Sequence, residues 1–291
     1  MAERIIPASE LIINPDGSVF HIHLRPEQLT DNIILVGDPG RVDLVAGFFE
    51  RKTFEVSSRE FHTVGGTYNG KPVMCISHGI GPDNIDIVVT ELDALANVDF
   101  ETREVRSTLR SLNMVRIGTS GSLRPEITIG TPVIAERSIG FDGVLNYYAG
   151  RNDVADLYFE KALIEHTDWN PLWAKPYVVA ADQGLVARIG GDDMVRGVTI
   201  SAVGFYGPQG REVRLPLANP DLNRKLEEFE YNGRVITNYE MESAPLAGMG
   251  KLMGHRCMTV CSIIANRFNN KANPNYKSGI ADLIKVVLDR I

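Results

Sequence analysis

Apolar residues in this chain fall into two alternating patterns: short unbroken runs, and longer stretches in which apolar positions recur every three or four residues. Asn32-Ile-Ile-Leu-Val36 is such a run, and after Gly37-Asp-Pro-Gly-Arg41 the residues Val42, Leu44, Val45 and Phe48 follow at helical spacing. This predicts strand, tight turn, helix. Residues 62–68 and 71–77 flank Asn69-Gly70, whose tolerance of positive φ makes a two-residue hairpin the expected connection. Gly79-Ile-Gly-Pro82 then leads into a predicted helix ending near Ala96. Asn113-Met-Val-Arg-Ile117 reads as a buried strand running into a small-residue turn, Gly118-Thr-Ser-Gly121. Residues 132–136 and 198–203 read as further strands. Asn219-Pro-Asp opens a helix predicted through Phe229, residues 240–253 are predicted helical with Gly254 as the stop, 256–264 form a strand, and a closing helix begins at Lys277. Residues 141–173, with Tyr147, Tyr148, Trp169 and Trp173, have weak periodicity and read as an excursion holding one helix over 152–166.

Strands alternating with helices imply an α/β fold, with a mostly parallel, mixed central sheet covered by helices on both faces. No Pro/Ser linker, repeat or low-complexity segment divides the chain, so one domain over residues 1–291 is expected, with 1–19 as an N-terminal extension.

Composition narrows the class. At 291 residues, 44% hydrophobic and 23% charged, the chain buries a core without disulfide or metal staples. Lys+Arg of 30 against Asp+Glu of 37 gives a formal charge of -7, which argues against a nucleic-acid partner. No stretch approaches the roughly 18 apolar residues of a membrane span, and Glu3, Arg4 and Glu10 interrupt the start of the chain where a signal peptide would be apolar. A cytoplasmic protein is the expectation. Cys257 and Cys261 sit four apart on a predicted strand, roughly 13 Å from one another and beyond disulfide reach. With Cys75 they read as packing residues. His21-Ile-His23 alternates so that both rings share one side of an extended segment, but two ligands do not make a site, and no metal is expected.

In sheets of this kind ligands gather at the carboxyl ends of strands, where the turns listed above lie. Gly37-Asp38-Pro39-Gly40-Arg41 combines close backbone approach with a guanidinium; Arg116-Ile-Gly-Thr119-Ser-Gly121 adds a second guanidinium, a hydroxyl and further amides. Both suit an oxyanion, since arginine pairs bidentately with phosphate and glycine lets backbone N–H groups join. Arg116 is expected to face that anion from a turn, without supporting the core. Either motif alone is more often just a solvated turn, and neither matches the phosphate loop of ATPases or the dinucleotide fingerprint. Asn238-Tyr-Glu-Met-Glu-Ser243 places two carboxylates at i,i+2 where a loop enters a helix. Acids at a helix start account for one of them; a carboxylate that accepts from vicinal hydroxyls accounts for the other. Phe205-Tyr-Gly-Pro-Gln209-Gly-Arg211 sets an aromatic, an amide and a guanidinium on one turn, and an amide can read the edge of a planar imide.

Taken together, Gly-Asp-Pro-x-Arg at 37–41, Arg-Glu-Phe at 59–61, Gly-Ile-Gly at 79–81, Arg-Ile-Gly-Thr-x-Gly at 116–121, Asn-Tyr-Glu-Met-Glu-Ser at 238–243 and Asn-Arg at 266–267 resemble the nucleoside phosphorylase-I family, most of all its uridine phosphorylases. The resemblance implies that Gly37, Arg41, Arg116 and Thr119 bind phosphate, joined by Arg59 from a neighbouring subunit. It implies that His21 also crosses the subunit boundary to meet the ribose, and that Met241 and Glu242 bind the sugar hydroxyls. Gln209, Arg211 and Arg267 fall where uracil is recognised, and Phe205 where an aromatic stacks on the base. Purine enzymes of the family place an acid at the position of Ile264, so the purine reading loses its proton donor. The implied reaction is reversible phosphorolysis of uridine to uracil and ribose 1-phosphate, with inorganic phosphate as co-substrate, no cofactor, and a homo-oligomer with shared sites. Arg116, Thr119, Gln209 and Arg211 would carry the catalysis. A phosphorylase for another nucleoside, a nucleosidase and a non-catalytic relative are the alternatives.

Overall fold

The computed structural model describes residues 4–266, 271–272 and 277–291. Strand β1 (Asn32–Val36) leads into helix α1 (Pro39–Ala46), followed by strands β2 (Arg51–Ser58), β3 (Phe61–Tyr68) and β4 (Lys71–Ser77) and helix α2 (Pro82–Asn97). Then come β5 (Asn113–Ser122), β6 (Pro132–Gly140), α3 (Leu157–Thr167), β7 (Tyr177–Ala180), α4 (Gln183–Ile189) and β8 (Val195–Ser201). Helix α5 (Leu222–Glu228), β9 (Arg234–Glu240), α6 (Ser243–Leu252), β10 (Arg256–Asn266) and α7 (Lys277–Arg290) complete the order.

These strands join one mixed sheet in the order β9-β8-β6-β10-β5-β1-β4-β3-β2, with β7 paired to β6. β1 runs parallel to β4 and β5, and β5 parallel to β10. The apolar run of β1 is explained by coverage on both sides. Ile33 and Leu35 are buried in one cluster with residues of α2 and α6; Ile34 and Val36 are buried in another with residues of α1, α4 and α7. The Asn69-Gly70 hairpin forms as expected, with φ of 48° and 72°.

One pairing lies outside what periodicity can show. β9 returns to pair antiparallel with β5, Asn238 opposite Ser122 and Tyr239 opposite Gly121, so that β5, β9, β8, β6 and β10 close into a ring. A buried polar network fixes the closure. Asn238 Nδ2 donates to Ser120 Oγ at 3.0 Å, while Thr199 and Thr237 hydroxyls donate to Asn238 Oδ1 at 2.9 and 2.7 Å.

Several boundaries differ from the sequence expectation. Gly118 to Gly121 is not a turn but the second half of β5. The helix expected from Glu240 starts at Ser243, because Glu240 ends β9. The helix expected from Asn219 covers Leu222–Glu228. Within the excursion, a short turn of helix at Arg151–Val154 precedes α3, whose start is set by Asp156 accepting from Phe159 N at 3.1 Å. β2 carries no strong apolar signal because it is an edge strand, exposed along most of its length. His21 and His23 do not share an extended segment: the chain turns there, and His23 has φ of 54°. Val19, Ile22 and Leu24 are fully buried in the cluster that includes α2, which ties down the end of the N-terminal segment.

Candidate active site

The strand ends converge as the fold class requires. β1 is followed directly by Gly37, whose α-carbon packs so tightly on the Gly79 carbonyl that an added Cβ would lie 3.2 Å from it. His78 follows β4, β5 carries Arg116 and Thr119, and β9 with the two residues after it delivers Glu240, Met241 and Glu242 from the opposite direction. Asp38 caps α1 by accepting from Gly40 N at 3.0 Å, and this places Arg41 in the first turn, buried, with Nη1 donating to the Ile117 carbonyl at 3.3 Å.

Arg116 is the hub. Its Nε donates to His78 Nε2 at 3.2 Å, its Nη1 contacts Cys261 Sγ at 3.6 Å and Glu240 Oε2 at 2.9 Å, and its Nη2 pairs with Glu242 Oε2. Gly118 makes room for this: a Cβ there would stand 2.6 Å from Arg116 Nη1. The expectation that Arg116 sits on a turn and takes no part in supporting the core is therefore corrected. It is a mid-strand residue whose side chain is 5% exposed, closing a buried ion network. Burial works against its charge, and Glu242 and Glu240 more than offset this, so Arg116 stays protonated. Burial, with the Arg116 and Arg41 charges beside it, holds His78 well below its ordinary value. The imidazole is neutral, with its proton on Nδ1 because Nε2 accepts.

The two acids at i,i+2 have separate tasks. Glu240 accepts from the Glu242 and Ser243 backbone N–H groups at 2.8 and 3.0 Å and from the Ser201 hydroxyl at 2.6 Å, so it organises the start of α6. Glu242 turns inward, accepting from Gly81 N at 2.8 Å, and burial pushes its carboxyl up despite the Arg116 charge. Gly81 has φ of 102°, a backbone that glycine adopts without strain and that aims this N–H at the carboxylate. Met241 is half-buried beside it, and Thr119 is half-buried on β5 opposite Ser262.

Phe205, Gln209 and Arg211 form a second group. Gln209 is buried in a 3₁₀ turn (Gly207–Gln209), Arg211 Nη1 donates to Gln209 Oε1 at 2.6 Å, and the Arg211 guanidinium lies 3.8 Å from the Phe205 ring centroid. This loop and the excursion wall a cavity of about 870 Å³, lined by Phe141, Asp142, Trp169, Trp173, Tyr206 and Arg211 among others. Ile264 is the bulged residue of β10, half-buried where the ladder to β5 shifts register. Arg267 lies outside the described residues.

Arg59 and His21 form a third group, on the surface. Arg59, with φ of 55° at the tip of the β2–β3 hairpin, is exposed and stands 5.8 Å from the Phe20 ring, whose edge meets the His21 ring at 4.8 Å. His21 Nδ1 is 2.6 Å from Glu91 Oε1, and the Glu91 carboxylate also accepts from the backbone of His21 and Ile22. Sequence reasoning missed Glu91, His78 and Asp142. None of them belongs to a motif quoted above; the one available signal was the position of His78 directly before Gly79-Ile-Gly.

Two consequences can be measured. Arg116→Ala leaves Glu240 and Glu242 buried without their cation, so it should lower stability by about 3–5 kcal/mol in chemical denaturation; wild-type stability would mean that the carboxylates find other partners. Asp142, which accepts from Tyr177 Oη at 2.9 Å and Val144 N at 2.8 Å, is pushed up to about 6 by burial. A raised folded-state value means that the native state binds the proton more tightly, so this group's contribution to stability falls as pH rises from about 4 through 6. Asp142→Asn should thus be more stable than wild type above pH 6, by on the order of 1–2 kcal/mol, with the gap closing below about pH 4. Urea unfolding of both proteins across that range checks it, and a gap independent of pH would refute it.

Comparison with known proteins agrees with the geometry. The family described as the Phosphorylase superfamily matches residues 31–285. Uridine phosphorylase of Thermococcus kodakarensis is 30% identical over 276 residues, spanning 93% of this chain and 85% of that protein. Uridine phosphorylase of Escherichia coli is 30% identical over 287 residues, spanning 94% and 96%. The crystal structure of a Trypanosoma brucei nucleoside phosphorylase, described as showing uridine phosphorylase activity, superposes with a TM-score of 0.87 at 27% identity over 96% of this chain and 98% of that one. A match of this extent, on a chain that gathers two buried arginines and two buried carboxylates near its strand ends, means that the protein belongs to the phosphorylase superfamily.

Proposed function

We propose that this pentosyltransferase, a nucleoside phosphorylase, acts on uridine, converting uridine and phosphate reversibly to uracil and ribose 1-phosphate in pyrimidine salvage. The observation that carries the reading is the buried Arg116–Glu242 ion pair, which supports a cation for the phosphate beside a carboxylate for the sugar diol. Relatives named uridine phosphorylase support the choice of nucleoside. So does Ile264, an apolar residue where a purine enzyme would need an acid.

In the proposed reaction a phosphate oxygen forms a bond to the anomeric carbon as the bond from that carbon to N1 of uracil breaks, and the bonding pair leaves with the base. Gly37, Arg41, Arg116 and Thr119, with Arg59 of a neighbouring subunit, hold the phosphate beneath the sugar and replace a bimolecular encounter with a positioned one. Glu242 and Met241 hold the ribose, and Glu242 keeps acceptor capacity beyond its bonds to Gly81 and Arg116. Gln209, Arg211 and Arg267 stabilise negative charge on the departing uracil, with Phe205 against its face. The anion then takes a proton from water, so no general acid is required. The same reading gives inorganic phosphate as co-substrate, no cofactor, a cytoplasmic setting and a single domain. Among the described residues no helix is long and apolar enough to cross a membrane.

Uridine incubated with and without phosphate should release uracil only when phosphate is present, with ribose 1-phosphate as the second product. Inosine should react at least tenfold more slowly, because a base lacking the uracil edge leaves buried donors unmatched at roughly 1–3 kcal/mol per group. Phosphate-independent release would make the protein a nucleosidase, and equal rates on inosine would place the base elsewhere.

Shared sites are supported by Arg59 and His21 meeting through Phe20 on the protein surface, where a second copy could receive both. Arg59→Ala and Gln209→Ala subunits, each inactive alone, should regain activity when co-refolded, because a mixed dimer keeps one complete site. A fully active monomer would rule this out.

A further inference from the structure

We propose that Asp43, Glu55 and His62 form a binding site for a divalent transition ion of the zinc type, held between helix α1 and the β2–β3 hairpin. Each residue comes from a different element: Asp43 from α1, Glu55 from β2 and His62 from β3. One donor atom of each lies within 4.8 Å of the other two. Glu55 Oε1 and His62 Nε2 are 3.2 Å apart. Ligands bound at 2.0–2.2 Å with tetrahedral angles stand roughly 3.3 Å from each other, so this edge of the coordination shell already has its metal-bound length. Asp43 is exposed on α1, and its carboxylate need move inward by only about 1–1.5 Å to complete a face, within reach of a side-chain rotation.

The histidine is oriented from outside the cluster. Its side chain is 13% exposed, and Nδ1 faces the Pro39 carbonyl at 3.4 Å. That contact favours the tautomer with the proton on Nδ1 and directs the Nε2 lone pair at the two carboxylates. A backbone carbonyl behind the free ring nitrogen is the usual support of a ligating histidine.

The donor set decides the class of ion. Two carboxylates neutralise a divalent charge, and one imidazole nitrogen is a ligand that calcium and magnesium seldom take. No thiolate is present to draw a soft monovalent ion. Zinc accepts three N/O ligands and a water. Bound there, it would join α1, which begins at the turn after Gly37 and carries Arg41, to the hairpin whose tip is Arg59. The site itself stands whether or not those residues bind phosphate. The competing reading is a direct His62–Glu55 contact with no metal between them.

The full-length enzyme, stripped with a chelator and titrated with zinc by calorimetry, should bind one ion per chain at this site, with a rise in melting temperature. His62→Ala and the double variant Asp43→Asn, Glu55→Gln should each weaken that binding at least tenfold. Asp43 and Glu55 are exposed, so the double variant keeps the fold even if His62→Ala does not. Anomalous scattering at the zinc edge should place the ion on all three side chains. Wild-type affinity in the double variant, an ion found only elsewhere, or no binding tighter than about 1 mM would overturn the proposal and leave an ion pair.

Discussion

A guanidinium with almost no access to water needs a full set of partners, and Arg116 draws them from three other strands. His78 follows β4, Glu240 and Glu242 come from the end of β9, and Cys261 stands on β10. None of these can be supplied locally along β5. The ring closure of β9 onto β5 is what brings two carboxylates to a cation that could not otherwise be buried. Gly118 belongs to the same constraint, since any side chain there would occupy the space of the guanidinium. His78 serves because it is neutral: a second cation against Arg116 would be repelled, whereas an imidazole lone pair accepts its Nε–H.

This network also fixes the backbone at the start of α6. Glu240 satisfies amide groups that a helix N-terminus leaves open, and Glu242, the residue immediately before α6, is left to point inward. Ser201 links Glu240 to the end of β8, from which the loop bearing Phe205, Gln209 and Arg211 departs. The candidate phosphate and sugar groups thus share one buried network, and the loop carrying the candidate base groups leaves from the strand that anchors it.

The excursion packs onto the ring side of the sheet rather than standing apart. Phe159 and Leu163 of α3 are buried with Ile139, Val198 and Ile200, and Trp169 and Trp173, in contact with each other, face the base loop across the cavity. On the opposite edge of the sheet, the exposed strand β2 supplies Glu55, a carboxylate that stays out of the core and meets His62 of β3 at 3.2 Å.

Much of the fold was legible because its signals are local. The apolar run of β1, the Asn69-Gly70 turn, the Gly-Pro entries to helices and the Gly254 stop each follow from backbone preference or from burial on two faces. The family motifs were legible as a set, and they pointed to the strand ends that the structure brings together. What the sequence could not settle was the state of those residues. Gly118-Thr-Ser-Gly121 has the composition of a turn, and only pairing with β10 and β9 makes it strand. Arg116 reads equally as a surface ligand, and only carboxylates more than a hundred residues away bury it. Likewise Asp43, Glu55 and His62 share no motif, since their convergence comes from a helix crossing a hairpin. Local preferences are written in neighbouring residues; long-range electrostatic partners exist only once the chain has closed, and that is why the tertiary structure alone decided the site.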